Sequence, residues 1–324
     1  MATPWVETRN LKDDIILPMK ILGTGLDGLV GSRIVELLSD LYEFESSDVD
    51  ITDRDKIIEK IKNSNASIVL HLAAKTDVDG CEKDRQTDIK ILGYKDIKRR
   101  EEEWRDKKTG WAVNVIGTRN VVDASQISKK KLIYISTDFV FDGTKDQYIE
   151  SDSPNPINWY ARTKYEGEKI VQKSSLPWII ARIAYPYRSN FTRNDFMRAI
   201  LKRLQNNEQV LAVTDHKFSP TFIDDIAFSI DKLIEKEVLG IFHVVGSQSL
   251  TPYDAAVAIA KVFNFDKPLV LKTTRKVYFK NRATRPFRLA LKNDKIRRLG
   301  IRMRGFEEGL EEVKSQRSKF KSTS

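Results

Sequence analysis

The chain of 324 residues is 40% hydrophobic and 9% aromatic, which is enough for a sizeable core in one large domain or two smaller ones. A single cysteine, Cys81, excludes an internal disulfide framework, and no apolar run reaches the roughly 18 residues that a membrane span needs. Residues 1–17 lack the layout of a signal peptide, and together with the single cysteine this leads us to expect a cytoplasmic protein. The net charge of +10 comes from residues 271–324.

Short β-like runs alternate with helical stretches through roughly the first 200 residues, which is the pattern of a parallel α/β sheet. The predicted strands are 19–22, 67–72, 131–135 and 178–183, and the predicted helices are 30–41, 57–62, 113–126, 161–172, 253–263 and 294–299. The first helix places Val30, Ile34, Leu37, Leu38 and Leu41 on one apolar stripe, which should face the sheet.

A glycine-rich turn follows the first strand. Two registers fit a dinucleotide-binding turn, Gly23-x-Gly25-x-x-Gly28 and Gly25-x-x-Gly28-x-x-Gly31, and the sequence leaves both open. Glycine lets backbone N–H groups and a helix N-terminus approach a pyrophosphate, because a Cβ would block the approach or the positive φ. The turn therefore predicts a bound dinucleotide.

The choice between NAD and NADP depends on the end of the second strand, where an acid favours the free ribose and a basic side chain favours the 2′-phosphate. Residues 42–50 read YEFESSDVD in this region. Ser46 and Ser47 suit a phosphate, whereas Asp48 would repel it. Both cofactors stay open at this point.

Residues 83–110 form a charged stretch with ten basic and seven acidic residues and few apolar ones. This composition predicts an exposed helix or helix pair with many surface ion pairs. The stretch is either a tolerated surface insertion or a surface for a partner or a second copy of the chain.

The strand predicted at 131–135 leads into Ser136 and Thr137, and Tyr160 and Lys164 follow. Tyr and Lys at positions i and i+4 lie on one face of a helix. A nearby ammonium stabilises a phenolate, so we expect Lys164 to lower the pKa of Tyr160 from its ordinary value of about 10. A hydroxyl of Ser136 or Thr137 would hold a substrate carbonyl against the tyrosine, and residues 155–158 supply the turn and N-cap of the helix.

Tyr165 and Lys169 have the same spacing, so the spacing alone is a weak signal. The first pair is favoured because it follows both the glycine turn and the Ser-Thr strand end. Further along, residues 271–324 carry 17 Lys and Arg against five acids. Such a segment suits a phosphorylated substrate, nucleic acid or a solvated surface, and no nucleic-acid motif accompanies the charge.

These residues together resemble the extended short-chain dehydrogenase/reductases, and within them the dTDP-4-dehydrorhamnose reductase family. The resemblance runs from Met19 to about Gly309, and its most diagnostic run is STDFVFDG at 136–143. It implies an α/β fold, a Rossmann-type doubly wound parallel sheet with a smaller C-terminal α/β substrate domain. The implied dinucleotide-binding domain is 1–184 with 221–246, including 83–110 as a charged insertion, and the implied substrate-binding domain is 185–220 with 247–324.

The resemblance also implies a site built from the glycine turn, the strand ends and the C-terminal half. The implied cofactor contacts are Gly25, Gly28, Leu29, Val30, Gly31, Asp50, Ile51, Leu72, Ala73, Ala74, Lys75, Asn114, Tyr160 and Lys164. The implied substrate contacts are Thr76, Val78, Asp79, Ser136, Thr137, Phe139 and Arg285. Thr137, Tyr160 and Lys164 are the implied catalytic residues, and no metal site is expected.

The family reduces C4 of a 4-keto sugar attached to a nucleoside diphosphate, with NADPH and sometimes NADH. We therefore expect an oxidoreductase that favours NADP(H), with NAD(H) as the alternative, and that acts on a nucleotide sugar. Tyr160 would donate a proton to the C4 oxygen, Thr137 would hydrogen-bond it, Lys164 would bind the nicotinamide ribose, and Arg285 would meet the diphosphate.

This chain departs from the family in four places, of which the mildest is Ala161 in place of the usual Gly after the tyrosine. Residues 83–110 are longer than the family's connection and fall near helices that such enzymes often use to dimerise, so a homodimer is one expectation. His216 replaces a Gln, which would alter substrate contacts. Residues 1–18 precede the usual start, which makes Met19 a candidate initiator.

Two other functions share this fold. One is a non-catalytic regulatory or binding subunit, similar to the beta subunit of methionine adenosyltransferase, but a full set of three catalytic residues favours an enzyme. The other is an epimerase or dehydratase. A dehydratase generally has Asp-Glu after the Thr, and this chain has Asp138-Phe139.

Overall fold

The computed structural model describes residues 18–265 and 267–322 of the chain. Residues 1–17, which bear on the interpretation of Met19 as an initiator, lie outside the described residues. Within the described ranges, no helix is both long and apolar enough to pass through a bilayer.

Strands and helices alternate through most of the chain. The strands are β1 (Met19–Thr24), β2 (Tyr42–Ser47), β3 (Ile68–His71), β4 (Lys131–Thr137), β5 (Trp178–Ile183), β6 (Pro186–Tyr187), β7 (Val210–Val213), β8 (Thr221–Phe222), β9 (Gly240–His243) and β10 (Val270–Thr273). The α-helices are α1 (Gly31–Leu38), α2 (Arg54–Asn63), α3 (Val78–Leu92), α4 (Ile97–Lys107), α5 (Thr118–Ile127), α6 (Trp159–Lys173), α7 (Phe196–Gln205), α8 (Ile223–Glu235), α9 (Pro252–Val262), α10 (Arg275–Tyr278), α11 (Asp294–Arg298) and α12 (Phe306–Ser322).

Six strands form one sheet in the order β2-β1-β3-β4-β5-β9, and every neighbouring pair is parallel. Parallel neighbours need crossover connections, so helices cover both faces of the sheet. Helices α1 and α8 pack on one face, and α2, α5 and α6 pack on the other. The predicted fold class, a doubly wound Rossmann-type α/β sheet, is confirmed.

Successive residues of each strand face opposite layers. Ile21 and Ile133 lie in the cluster with α1 and α8, whereas Leu22 and Leu132 lie in the cluster with α2 and α5. All four side chains are fully buried. Because helices cover both faces, the central strands contain continuous apolar runs, such as IVL in β3, whereas the edge strand β2, YEFESS, does not.

The first helix is shorter than predicted. It ends at Leu38, and Val30, Ile34 and Leu38 face the core, but Leu41 is 38% exposed. The Leu41 N–H donates to the carbonyl of Leu38 at 3.0 Å, in a turn that leads directly into β2. The predicted stripe is wrong at Leu41 because its i+3 spacing from Leu38 belongs to this turn and not to the helix.

A second hydrophobic core lies in the C-terminal half. There α7, α9 and α12 pack with the two-stranded parallel sheet of β7 and β10 around Met197, Ala256 and Leu310, which are fully buried. The chain enters this part after β5 and returns to the large sheet with α8 and β9. Two short parallel strands, β6 and β8, pair where the chain leaves and returns.

Candidate active site

A cavity of about 1000 Å³ opens at the point where the strand order of the large sheet reverses. The reversal lies at β1, because β2 is on one side of it and all later strands are on the other. Loops at the carboxyl ends of the strands diverge at such a switch point and leave a crevice. The cavity walls come from these loops, from the start of α6 and from segments near 193–196 and 278–285.

Most residues predicted for the site line this cavity. They are Gly25, Gly28, Leu29, Val30, Gly31, Asp50, Ile51, Leu72, Ala73, Ala74, Thr76, Val78, Ser136, Thr137, Phe139, Tyr160, Lys164 and Arg285. Lys75, Asp79 and Asn114 are not part of the lining: Lys75 and Asn114 bond each other, and Asp79 bonds the lining residue Arg285.

The glycine turn needs residues without a Cβ at two positions. Gly25 has a φ of +71°, and a Cβ there would lie 2.9 Å from the backbone nitrogen of Ala73. A Cβ on Gly31 would lie 2.6 Å from the carbonyl oxygen of Gly25. Gly23 lies within β1 and does not line the cavity. The register that borders the cavity is therefore Gly25-x-x-Gly28-x-x-Gly31, at the N-terminus of α1, where backbone N–H groups favour an anion.

Tyr160 and Lys164 lie in the first two turns of α6. Asn158 caps the helix, because its Oδ1 accepts the N–H of Ala161 at 2.8 Å. Both side chains reach the cavity although they are only 8% and 3% exposed. Lys164 Nζ donates to the carbonyl of Ile135 at 2.9 Å, which fixes the ammonium at the end of β4.

Burial dominates the ionisation of this pair. Desolvation raises the pKa of Tyr160 above its ordinary value, and a hydrogen bond with Thr137 opposes the increase. Desolvation also lowers the pKa of Lys164 to about 7, and the charge of Glu168 opposes that decrease. Burial therefore raises the pKa of Tyr160 overall, against the decrease that the sequence predicts from Lys164, because burial disfavours the charged form of each group. Tyr160 is a protonated phenol that can donate a proton.

Ser136 and Thr137 have different partners. Ser136 Oγ donates to Glu168 Oε1 at 2.6 Å, and Arg182 holds the same carboxylate through two hydrogen bonds of 2.9 and 2.7 Å. Thr137 instead donates to Asp138 Oδ1 at 3.1 Å and lies near enough to the phenol of Tyr160 to lower its pKa. Of the two hydroxyls that the sequence left open, Thr137 is the one beside the phenol.

Asn114 connects the loop after β3 to α6. Its Oδ1 accepts the N–H of Lys75 at 2.8 Å, and its Nδ2 donates to the Lys75 carbonyl at 3.0 Å and to Thr163 Oγ1 at 2.9 Å. It lies in a π-helical segment, Ala112–Gly117, of a kind that is frequent at functional sites. Asn114 therefore holds the loop at Lys75 against α6 and so fixes the position of this part of the cavity wall.

The charged stretch is a helix pair, α3 and α4, and one side of it faces inward. Asp88 is fully buried and accepts the indole N–H of Trp159 at 2.8 Å and that of Trp104 at 3.3 Å. The Thr109 hydroxyl and the backbone N–H of Trp111 also donate to this carboxylate. Trp159 directly precedes Tyr160, so the helix pair supports the start of α6. Neither interpretation of the stretch from the sequence included this contact.

Asp88→Ala should destabilise the protein, because the buried indole N–H of Trp104 and the half-buried indole N–H of Trp159 would lose their acceptor. The expected loss is about 1–3 kcal/mol of unfolding free energy for each group left unsatisfied, measured by urea unfolding. Asp106→Ala, on the exposed side of α4, is the matched control and should change the free energy by less than about 0.5 kcal/mol. Equal effects for the two variants would show that Asp88 does not hold the helix pair.

Among the described residues, four arginines of the C-terminal segment pair with acids outside it: Arg275 with Asp215, Arg285 with Asp79, Arg288 with Asp146 and Arg304 with Asp225. Arg285 differs because it also lines the cavity, with Nη1 3.0 Å from Asp79 Oδ1 and 2.7 Å from the Ala283 carbonyl. Asp79 accepts the N–H of Ala283 as well, at 3.0 Å. These bonds attach the segment to α3 and place a guanidinium in the wall.

Sequence reasoning missed part of the wall. The missed residues include Asp138, Tyr185, Arg193, Asn194, Phe196, Tyr278, Phe279 and Arg282. Asp138 had a signal, since it directly follows Thr137 at a strand end. The others lie far along the chain, in loops or, for Phe196 and Tyr278, at the ends of α7 and α10, and no spacing in the sequence connects them to the glycine turn.

The chain is similar in sequence and in structure to dTDP-4-dehydrorhamnose reductases. The sequence model of the RmlD substrate binding domain family matches residues 19–95 and 93–318. The chain is 27% identical over 277 residues to dTDP-4-dehydrorhamnose reductase from Aggregatibacter actinomycetemcomitans, which is 82% of this chain and 84% of that protein. It is 32% identical over 208 residues to methionine adenosyltransferase 2 subunit beta from Mus musculus, 62% of each chain. The crystal structure of dTDP-4-dehydrorhamnose reductase from Bacillus anthracis in complex with NADP superposes with a TM-score of 0.81 at 29% identity, covering 93% of this chain and 100% of that one.

Proposed function

Because the chain belongs to the RmlD substrate binding domain family, we propose that it is an NADPH-dependent reductase of a nucleotide-linked 4-keto sugar, similar to dTDP-4-dehydrorhamnose reductase. One observation carries this proposal: Thr137, Tyr160 and Lys164 line the same cavity as the glycine turn. Burying a phenol and an ammonium together is costly and serves no need of a simple binding module.

The residues of the cavity fit a dinucleotide. The pyrophosphate would lie at Gly25–Gly31, where a Cβ would collide with the backbone, and the adenosine would lie beside Asp50 and Ile51. NADP(H) is favoured over NAD(H) because Lys108 Nζ lies 2.8 Å from Asp50 Oδ2 and neutralises a carboxylate that would repel a 2′-phosphate. The relative from Bacillus anthracis was also solved with NADP.

The residues at the end of the cavity away from the glycine turn would carry out the reduction. The bound nicotinamide would supply the hydride that reduces the C4 carbonyl. Tyr160 donates its phenolic proton to the C4 oxygen, and Thr137 hydrogen-bonds the same oxygen and orients it. Lys164, with its pKa lowered to about 7 by burial, is partly charged at neutral pH. It binds the nicotinamide ribose and stabilises the phenolate that proton donation leaves behind.

Arg285→Ala is expected to raise the KM for a sugar nucleotide about tenfold or more, because a diphosphate loses a charge-assisted hydrogen bond. The Kd for NADPH should change far less, and steady-state kinetics with a fluorescence titration separates the two. Arg288→Ala is the control, since Arg288 is paired with Asp146 outside the cavity. An unchanged KM for Arg285→Ala would remove Arg285 from the substrate site.

The proposed function is tested by following NADPH and NADH oxidation at the nicotinamide absorbance band with dTDP-, UDP- and GDP-linked 4-keto sugars. We expect oxidation with one nucleotide series and a preference for NADPH. The absence of oxidation with every sugar would overturn the proposal.

A second candidate follows from the similarity to methionine adenosyltransferase 2 subunit beta, which reaches 32% identity. In this alternative the chain is a non-catalytic subunit that binds another enzyme and uses the cavity only to hold a dinucleotide. Stable co-purification with a methionine adenosyltransferase catalytic subunit, together with no sugar-dependent oxidation, would favour it.

A further inference from the structure

Arg188 is a buried cation beside the glycine turn that the proposed mechanism does not use. It lies directly after β6, where the chain leaves the large sheet for the second core. The residue is 8% exposed and is not part of the cavity lining. Its Nη1 donates to Ser32 Oγ at 3.0 Å and to the Leu29 carbonyl at 3.4 Å, and its Nη2 donates to Glu36 Oε2 at 2.8 Å. Arg188 therefore attaches the second half of the chain to the turn that would bind the pyrophosphate.

Residues 188–195 form a loop, called the wall loop below, that is held together by one buried arginine. The guanidinium of Arg198, in α7, donates to two carbonyls of this loop at 2.6 and 2.5 Å. Asp195 accepts the Nε of Arg198 at 2.9 Å and the N–H of Arg188 at 3.2 Å, which closes the loop. Because its two ends and its carbonyls share these bonds, a displacement of Arg188 would displace the wall loop as a unit.

The far end of the wall loop lines the cavity and leads to the catalytic residues. Residues 193–195 are part of the cavity wall, as is Phe196 at the start of α7. Phe196 packs edge-on against Tyr185 with 6.0 Å between the ring centroids, and Tyr185 contacts the ring of Phe139 at 6.1 Å. The ring of Phe139 lies 5.9 Å from that of Tyr160. A continuous set of contacts therefore connects the glycine turn, through Arg188 and the wall loop, to the proposed proton donor.

One peptide group lies between Arg188 and the place of the pyrophosphate. The carbonyl of Leu29 and the N–H of Val30 belong to this peptide, and both residues line the cavity. Val30 is the N-cap of α1, where N–H groups would meet the pyrophosphate. A hydrogen bond accepted by a peptide carbonyl polarises the peptide and strengthens donation by its N–H. An anion at Val30 and the guanidinium at Leu29 would therefore stabilise each other, so the dinucleotide should tighten the contact of Arg188 with the turn.

We propose that Arg188 is a positioning residue through which binding of the dinucleotide and binding of the sugar nucleotide favour each other. The inference rests on the proposed function and goes beyond it, because it describes how one ligand changes the affinity for the other. With the pyrophosphate bound, Arg188 is held at the turn and the wall loop is fixed. The sugar nucleotide then binds without the entropy cost of ordering that loop. By linkage, the sugar nucleotide raises the affinity for the dinucleotide by the same factor.

The first test measures this coupling with ligands that cannot react with each other. The Kd for NADPH is measured by fluorescence titration, alone and with saturating dTDP-, UDP- or GDP-glucose, because these sugar nucleotides have no carbonyl to reduce. With the one that binds, the Kd of wild type should fall about fivefold or more. In Arg188→Met the Kd for NADPH alone should stay within about threefold of wild type, because only the polarisation of one peptide is lost. The sugar nucleotide should then lower that Kd by less than about twofold.

Arg317→Met is the matched control. Arg317 Nη1 donates to the Ser189 carbonyl at 3.0 Å, so it holds the same loop from α12 and not from the glycine turn. This variant should keep the coupling of wild type. Loss of coupling in both variants would assign the effect to general anchoring of the loop and overturn the inference. An uncoupled wild type, or an Arg188→Met variant with full coupling, would overturn it as well.

Hydrogen exchange provides a second test that needs no sugar nucleotide. The probe is 2′-phospho-ADP-ribose, which has the pyrophosphate of NADP but no nicotinamide ring that could contact the wall loop. Its addition to wild type should slow amide exchange in residues 188–195 about fivefold or more, and this protection should be missing in Arg188→Met. Unchanged exchange in wild type would overturn the inference while leaving the reductase intact. Failure of wild type to reduce any 4-keto sugar would instead overturn the proposed function.

Discussion

Tyr160→Phe is expected to lower kcat by about 10²- to 10⁴-fold, which is the usual contribution of a positioned acid. The variant keeps the ring and its edge contact with Phe139, whose centroid lies 5.9 Å away. It loses only the hydroxyl that would donate the proton. The Kd for NADPH should therefore stay within about threefold of wild type, because most of the dinucleotide contacts come from other elements.

The chain offers a matched control in the same helix. Tyr165 has Lys169 at the same i+4 spacing, and the ammonium lies 5.2 Å from the centre of the phenol ring, but neither residue lines the cavity. Tyr165→Phe should leave kcat essentially unchanged. Single-turnover rates with NADPH and a 4-keto sugar nucleotide measure the chemical step directly, and a Tyr160→Phe enzyme that keeps its full rate would refute the assignment of the proton donor.

Arg182→Met is expected to lower the free energy of unfolding by about 3–5 kcal/mol, because it leaves a buried carboxylate without its cation. Arg182 and Glu168 are no more than 1% exposed and are joined by two hydrogen bonds. Ser136 is the remaining donor to that carboxylate. Because Ser136 precedes Thr137, we also expect the strand end to shift and the reductase rate to fall.

Denaturant unfolding of three proteins tests this expectation. Arg302→Met, at an ion pair with Glu308 whose side chains are 54% and 53% exposed, should cost less than about 1 kcal/mol. The double variant Arg182→Met with Glu168→Leu should recover most of the stability, because no uncompensated charge remains. A double variant as unstable as Arg182→Met would show that packing, and not the buried charge, explains the loss.

The features that sequence reasoning located correctly are local. The glycine turn, the cap at Asn158 and the spacing of Tyr160 and Lys164 depend on neighbours within a few residues. Four of the six strands of the large sheet, β1, β3, β4 and β5, were predicted from their apolar runs, whereas β2 and β9 were not. The sequence could not show that burial raises the pKa of Tyr160, because the segments that bury this residue are distant from it in the chain.

The contacts of Asp88 show the same limit. A charged residue within a charged stretch gives no sign that it faces inward, since the donors that stabilise Asp88, which include the indole N–H groups of Trp104 and Trp159, come from other segments. The cavity residues at 278–285 were equally hidden, apart from Arg285. Their placement depends on bonds such as that between Arg285 and Asp79, which connect residues about 200 positions apart and leave no periodic signal.

The two ends of the cavity also differ in when they are made. The last strand of the large sheet ends at His243, and the last segment of the cavity wall begins at Tyr278. The ribosome therefore adds this wall segment about 35 residues after the last strand, which corresponds to about 2–7 s of synthesis. During that interval the nascent chain has every strand that borders the dinucleotide but lacks the far wall for the sugar nucleotide. Under the proposed function, the dinucleotide is therefore the first of the two ligands whose contacts are synthesised, so its binding would stabilise the growing chain earlier than binding of the sugar nucleotide.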